Sequence, residues 1–346
     1  MKRRIVNFII NKLFDSPISR SKNYNKLFFK RFPILSINNF KKNSLKFYVI
    51  RVKKAGGGLF SNVLYVLNHI KIANKINLIP VVDMQNFYTI YNQYNKINNT
   101  SNSWEYYFEP ITKYSIEEVY RSGKLIYSDP DISLPRNFID KKNYKKLFKK
   151  NIKIKKNFFL FVNHFVKKNF KNKKVIGIHL RGTDMKHTPN HPLPPTLSQV
   201  FNIIDILIKK KKFNKIFLVT DQKKYLEKFK NKYEDKVCFT NCFRSNKDKI
   251  FNLNIRKNHR YKLGKESLEQ MLLLSKMSYL ISSKSNLSRC AVLYSKKPIK
   301  CIEIDNGMNS SRIIYARFKW YIKKILPSKL GGFKEKIKVN FKTLNY

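Results

Sequence analysis

The chain has 346 residues, of which 42% are hydrophobic and 14% aromatic, with 73 Lys and Arg against 21 Asp and Glu. That length allows two domains at ~150 residues each. The apolar content suffices for a packed core, and no apolar run is long enough to span a membrane. The formal charge of +52 points to polyanionic partners: nucleic acid, anionic lipid or a phosphorylated substrate.

Residues 1–46 form a basic, aromatic leader in which Asp15 is the only acid. Lys2, Arg3, Arg4, Lys12 and Arg20 alternate with Phe8, Phe14, Phe28 and Phe29. Such a segment suits a peripheral anchor on anionic lipid; the plainer reading is a poorly ordered leader or a helix packed on the body. Its first ten residues imitate a signal peptide, but the apolar stretch is short, Asn7 interrupts it and no small-residue cleavage site follows. The expected location is therefore cytoplasmic, with peripheral contact at the inner membrane face.

Lys46–Val52 reads as a strand. It runs into Gly56-Gly57-Gly58 and then a helix from Leu59 to Ile76, whose apolar residues recur at helical spacing. Leu78–Val82 is the next strand and ends at Asp83. Residues 86–135 look like loop. Lys141–Lys174 reads as one lysine-dense helix with an apolar stripe at Phe148, Ile152, Ile154, Phe158, Phe161 and Phe165. Strands and helices then alternate: strand Val175–Leu180, helix Leu197–Lys210, strand Lys215–Val219, helix Lys223–Tyr233, strand Val237–Thr240, helix Ser267–Met277, strand Tyr279–Ser282, helix Asn286–Ser295 and strand Ile299–Ile304. Repeated βα units imply a parallel sheet with right-handed crossovers. The expected organisation is an N-terminal α/β lobe over 47–168, a C-terminal Rossmann-like lobe over 169–325 and a tail over 326–346. No internal repeat is visible. Cys238, Cys242, Cys290 and Cys301 lack metal-site spacing and read as reduced core thiols.

Four segments fall where strands end or helices begin. His179-Leu-Arg181-Gly-Thr-Asp184 closes an apolar strand. An arginine there can fork onto phosphate oxygens, or pair structurally with Asp184. Ser282-Ser-Lys-Ser285-Asn286-Leu-Ser288-Arg289 joins a strand to a helix, where outward N–H groups form a ready anion site; Ser285 or Asn286 is also an ordinary cap. Gly57-Gly58 allows close backbone approach one turn ahead of Asn62, but lacks the spacing of a phosphate loop. Asp221 ends a strand, as a site acid or as a cap. Trp104 and Glu105 place an acid in an aromatic cluster that suits a sugar face or a core. Asp129-Pro-Asp131 reads as a turn rather than a metal-binding D-x-D.

Together these segments resemble the fucosyltransferase superfamily of α1,6-fucosyltransferases, nodulation fucosyltransferases and protein O-fucosyltransferases. His179-Leu-Arg181-Gly-Thr-Asp184 is similar to the family's H-x-R-x-T-D motif, Gly57–Asn62 to its glycine-rich segment, Phe217–Asp221 to its second strand and Tyr279–Arg289 to its serine-rich motif. The resemblance spans residues 47–305. It implies an α/β, GT-B-like fold of two Rossmann-type lobes with parallel sheets and an intervening cleft, and an inverting, metal-independent transfer of fucose from GDP-fucose with no cofactor. On that reading Arg181 binds the diphosphate and assists departure of GDP. His179, Asp184, Asp221, Ser285 and Asn286 surround the donor, and Gly57, Gly58 and Asn62 approach it from the other lobe. Two departures stand out. No carboxylate occurs between Asp184 and Asp205, where the α1,6-transferases place a base, and Gln270 stands where the family often has an acid contacting guanine.

Inverting transfer needs a base for the acceptor hydroxyl. His191 ranks first, ahead of His187, Asp83 and Glu105, because an imidazole titrates near neutral pH. Asp83, Trp104 and Glu105 are the acceptor-side candidates. The expected partners are a nucleotide-sugar donor and an oligosaccharide or lipid-linked glycan, with no specific nucleic acid. The alternatives are a non-catalytic relative that binds a nucleotide sugar or glycan, and a basic nucleic-acid-binding protein.

Overall fold

The computed structural model describes residues 45–52, 57–122, 125–128, 141–182, 184–245, 250–253 and 255–334. The expectations placed on residues 1–44, on Asp129–Asp131 and on Thr183 lie outside them. The chain divides into two compact units. One takes the described residues up to Phe158 together with Arg256–Leu268; the other takes Phe159–Ile255 and the described residues from Glu269 onward.

The first unit holds strand β1 (Phe47–Ile50), helix α1 (Leu59–Lys75), β2 (Ile79–Val82), α2 (Ile116–Arg121), β3 (Leu125–Tyr127) and α3 (Lys141–Asn151). Its three strands pair in parallel in the order β2-β1-β3. β1 is central and buried along its whole length, which is why its sequence is continuously apolar instead of alternating. Phe47 and Val49 pack with Val81 and Val119. On α1 the buried stripe includes Phe60, Val63, Leu67 and Ile70.

The lysine-rich stretch is two helices, not the single one expected. α3 ends at Asn151 and α4 (Asn157–Asn169) begins after an extended break. In the break Ile154 bridges Phe108 in antiparallel fashion. Glu109 N donates to Lys153 O at 2.8 Å and Lys155 N to Tyr107 O at 3.1 Å. The apolar side chain that looked like part of a helical stripe is buried as a strand residue instead.

The second unit carries β4 (Val175–Leu180), α5 (Leu197–Lys211), β5 (Lys215–Thr220), α6 (Lys223–Tyr233), β6 (Val237–Cys238), the end of α7 (His259–Leu274), β7 (Tyr279–Ser283), α8 (Asn286–Tyr294), β8 (Lys300–Ile304) and α9 (Ile313–Ile325). Five parallel strands lie in the order β6-β5-β4-β7-β8. Ile176, Ile178 and Leu180 of β4 pack with Val200, Ile203, Ile204 and Leu207 of α5 and with Phe229 of α6. α5 starts on a capping box: Thr196 Oγ1 accepts from Gln199 N at 3.3 Å, and Gln199 Oε1 accepts from Thr196 N at 2.9 Å.

α7 begins at His259, well before the expected Ser267. All four cysteines are free thiols, and Cys238, Cys290 and Cys301 are buried. Burial pushes the thiols of Cys238 and Cys301 up to about 11, so they stay protonated and unreactive.

Candidate functional site

In the second unit the strand order turns back between β4 and β7: β5 and β6 lie to one side, β8 to the other. In open parallel sheets a ligand sits at such a switch point, outside the carboxyl ends of the strands. His179 of β4 and Ser282 of β7 are register partners there. Arg181 leaves β4, and the serine-rich turn leaves β7 into α8. Two of the segments singled out in the sequence therefore meet at one edge of one sheet.

His179 is 3% exposed, and its Nδ1 lies 2.7 Å from Ser288 Oγ, tying β4 to the first turn of α8. Burial, with a smaller contribution from Arg181, holds the imidazole down to about 3. His179 is thus neutral at ordinary pH and serves as a positioning group, not as a proton acceptor. Arg181 Nη2 donates to both oxygens of Asp184, at 3.0 and 3.2 Å, and Arg181 Nε lies 3.7 Å from Asp221 Oδ2. The Arg181 side chain is 40% exposed. Exposed pairs of this kind are worth ~0–1 kcal/mol, so the guanidinium can turn to a phosphate at little cost. Asp221 Oδ1 also accepts from Gly182 N at 3.3 Å. Gly182 is needed for packing: a Cβ there would meet Gln222 Oε1 and Tyr225 Cε2, each at 2.7 Å.

Ser285 caps α8, its hydroxyl accepting from Leu287 N at 3.3 Å, and Asn286 is the first helical residue. The first turn contains no acid and includes Arg289, a cation at the positive end of a helix, where the dipole disfavours it. Arg289 Nε and the hydroxyl of Ser283, which is 1% exposed, are buried with no hydrogen-bond partner among the described residues. Buried polar groups are normally paired, so these two groups at the switch point have bonding capacity left for a ligand or a water. Ser283 and Arg289 were quoted in the sequence motif without a role. The signal that could have found Arg289 was a basic residue in a helical first turn with no acid beside it.

Gln270 is buried beside the end of β6, with Nε2 3.2 Å from Thr240 Oγ1 and 3.0 Å from Cys242 Sγ. Arg244 Nη2 donates to Thr240 O at 2.9 Å and Ser245 N to Asp221 O at 3.0 Å. These bonds fasten the 240–245 segment beside Asp221. His191 is exposed on the loop after β4. Its Nδ1 lies 3.0 Å from Pro189 O. A carbonyl can only accept, so this contact places the proton on Nδ1 and leaves the Nε2 lone pair available.

The first unit contains the remaining candidates. Gly58 is the N-cap of α1 with no side-chain cap, and Asn62 N donates to Gly58 O at 3.1 Å. A Cβ on Gly57 would come within 2.8 Å of Asn62 Oδ1. Asp83 is fully buried. Its Oδ1 accepts from Gln85 N and Asn86 N, and its Oδ2 from Asn86 Nδ2 and from the Tyr120 hydroxyl at 2.7 Å. Four donors fill its acceptor sites, which is the bonding of a loop cap. Glu105 accepts from Thr100 Oγ1 and Asn102 Nδ2, each at 3.0 Å. Trp104 is 2% exposed, packed on Phe108 at 4.5 Å between ring centroids. Both border a cavity of about 430 Å³ at the end of β2, which Gln85, Lys96 and Tyr114 also line. Among the described residues, no group of three His, Cys, Asp or Glu side chains is placed to hold a metal ion, and no helix is long and apolar enough to cross a membrane.

The solved structure of NodZ α-1,6-fucosyltransferase co-crystallised with GDP aligns with 76% of this chain and 97% of its own, at a TM-score of 0.51 and 15% identity. The chain has the GT-B-type fold of NodZ. NodZ from Bradyrhizobium, over the same shares of the two chains, gives a TM-score of 0.50 at 16% identity, and NodZ soaked with GDP-fucose gives 0.50 over 75% of this chain and 95% of its own, at 16% identity. In sequence, GDP-fucose protein O-fucosyltransferase 2 of Plasmodium berghei (strain Anka) is 31% identical over 86 residues. That match covers 25% of this chain and only 18% of the relative. No protein-family model matches. The NodZ-like fold agrees with the resemblance carried by the motifs.

Proposed function

We propose that this protein is an inverting, metal-independent glycosyltransferase that uses GDP-fucose as donor and a glycan, free or lipid-linked, as acceptor. The observation that carries the reading is that Arg181 follows β4 while Ser283, Ser285 and Arg289 lie where the neighbouring β7 turns into α8, at the switch point of the sheet. Open donors and a helix N-terminus at that edge suit a diphosphate. Arg181 is the group that can gain charge-assisted bonds as the leaving diphosphate develops charge. His179 holds α8 in place beneath it. Thr240, Gln270 and Arg244, fastened together beside Asp221, are the residues assigned to the nucleotide base. In the reaction an acceptor hydroxyl oxygen bonds to the anomeric carbon, the bond from that carbon to the β-phosphate oxygen breaks, and the hydroxyl proton passes to His191 Nε2. The cavity bordered by Trp104 and Glu105 is the candidate acceptor pocket.

A thermal-shift series with GDP, GDP-fucose, GDP-mannose, UDP-sugars and short RNA tests the reading. Stabilisation is expected with GDP and GDP-fucose and not with UDP-sugars. Arg181→Lys keeps the charge but loses the fork. It should lower GDP release from GDP-fucose, with a glycan acceptor mixture present, by about 100-fold and leave the melting temperature without ligand unchanged. Stabilisation by RNA alone would overturn the proposal, as would near-wild-type turnover in that variant.

A further inference from the structure

The outward face of α9 is apolar, where a surface helix ordinarily presents polar residues to water. Ile314, Phe318, Tyr321 and Ile325 are exposed at 70%, 56%, 45% and 70%. Their 4-3-4 spacing places them within about 60° of one another at 3.6 residues per turn. The opposite face is the one that holds the helix to its unit: Ala316, Lys319 and Trp320 are buried, Trp320 clusters with Leu193 and Phe333, and its Nε1 donates to Pro194 O at 2.8 Å. On the outer stripe Tyr321 packs its ring on His187 at 5.7 Å between centroids, while Ile314, Phe318 and Ile325 stay largely open to water. Burying the stripe inside this unit would require turning the helix over and exposing the indole.

The charges around the stripe identify its occupant. From Asn306 to Lys334 the sequence contains no acid. Arg317 and Lys324 are exposed along one edge of the stripe, with Arg312 at the head of the helix and Lys329 and Lys334 beyond its end. A second copy docked face to face would set these cations against their own images with no acid to pair them. We infer that α9 is an interfacial helix that seats the protein on an anionic bilayer. Ile314, Phe318 and Ile325 enter the acyl boundary, the Tyr321 ring lies at head-group depth, and Arg317 and Lys324 meet lipid phosphates. The inference rests on exposure and charge along α9 and stands whether or not the donor is GDP-fucose.

Vesicle flotation of the full chain tests it, with phosphatidylcholine alone against a 3:1 phosphatidylcholine–phosphatidylglycerol mixture. The wild type should float with the anionic vesicles and release as salt rises. The triple variant Ile314→Ser, Phe318→Ser, Ile325→Ser changes only exposed side chains and should lose at least about tenfold in vesicle affinity. Its thermal transition should be unchanged. A full chain with Phe318→Trp should show a blue-shifted emission component on anionic vesicles, quenched by brominated lipid. Undiminished binding of the triple variant would overturn the inference and move any attachment elsewhere, including residues 1–46. No binding by the wild type would overturn it too, as would a wild-type dimer that the triple variant dissociates.

Discussion

His179 shows how one side chain is fixed by its surroundings. It belongs to an otherwise apolar strand, is almost fully buried, and has one polar partner in Ser288. Removal from water disfavours its charged form, and Arg181 adds repulsion, so its pKa falls from 6.5 to about 3. The sign of the consequence follows. Between those values the unfolded chain binds a proton on this imidazole and the folded chain does not, so folding loses stability as pH falls through that window. The slope from this one group is about 1.4 kcal/mol per pH unit. Denaturant melts from pH 7 to pH 4 should show wild type losing stability more steeply than His179→Gln by that amount. Should the variant fail to fold, the His179 ring resonances can be followed by NMR, where an imidazole that protonates near pH 6.5 would refute the argument. Arg181, two residues further along the chain, is the opposite case: 40% exposed, always charged, and held by carboxylates it can exchange.

At the scale of elements, helices and strands set by their own apolar pattern were legible, and elements defined by distant contacts were not. β4 and α6 have the bounds their patterns gave, because a central parallel strand and an amphipathic helix are determined by their own residues. α2 lay inside what read as loop, although Ser115 and Glu118 form a complete capping box ahead of it; the S-x-x-E signal was present, but six residues make too short a stripe to stand out. β3 has only three residues and exists through its pairing with β1. α9 was not expected, although its sequence is about as amphipathic as that of α5. The divisions between the two units fall inside α4 and α7, so no loop marks either boundary. Of the candidate site, Arg181, His179 and the serine turn were legible from strand ends. The open bonding capacity of Ser283 and the four-donor shell of Asp83 needed coordinates.

α7 gives an element-scale prediction. Gly264 sits in its interior, where alanine would ordinarily stabilise a helix by about 1 kcal/mol. Here a Cβ would come within 2.1 Å of the Tyr107 hydroxyl oxygen and 2.4 Å of its Cζ. Tyr107 cannot step aside: its hydroxyl donates to Tyr261 O at 3.0 Å and its ring stacks on Tyr261 at 5.7 Å. Gly264→Ala should therefore destabilise the protein, by about 1–3 kcal/mol as overpacking does, in urea unfolding followed by circular dichroism. A gain in stability would mean that the helix shifts freely along Tyr107. The same glycine explains why the pattern of α7 could be read only from Ser267 onward.

For the whole molecule the deciding quantity is the excess of 73 basic over 21 acidic residues. Spread over one chain, that charge repels itself and opposes the compact state. The interaction is screened over about 10 Å at 0.1 M salt and about 3 Å at 1 M. Raising sodium chloride from about 50 mM to about 500 mM should therefore raise the melting temperature of the apo protein, whereas a flat or falling temperature would show that the lysines are already neutralised in pairs. GDP acts on the same scale through a different term, since a ligand that binds only the folded state stabilises it by RT ln(1 + [L]/Kd). The two are separable by titrating GDP at fixed ionic strength. Arg181→Lys leaves the net charge at +52 and should retain the salt-dependent rise while losing most of the increment from GDP. If the variant lost both in proportion, nucleotide stabilisation would be no more than diffuse attraction of a polyanion to a basic protein, and the switch-point site would have no part in it.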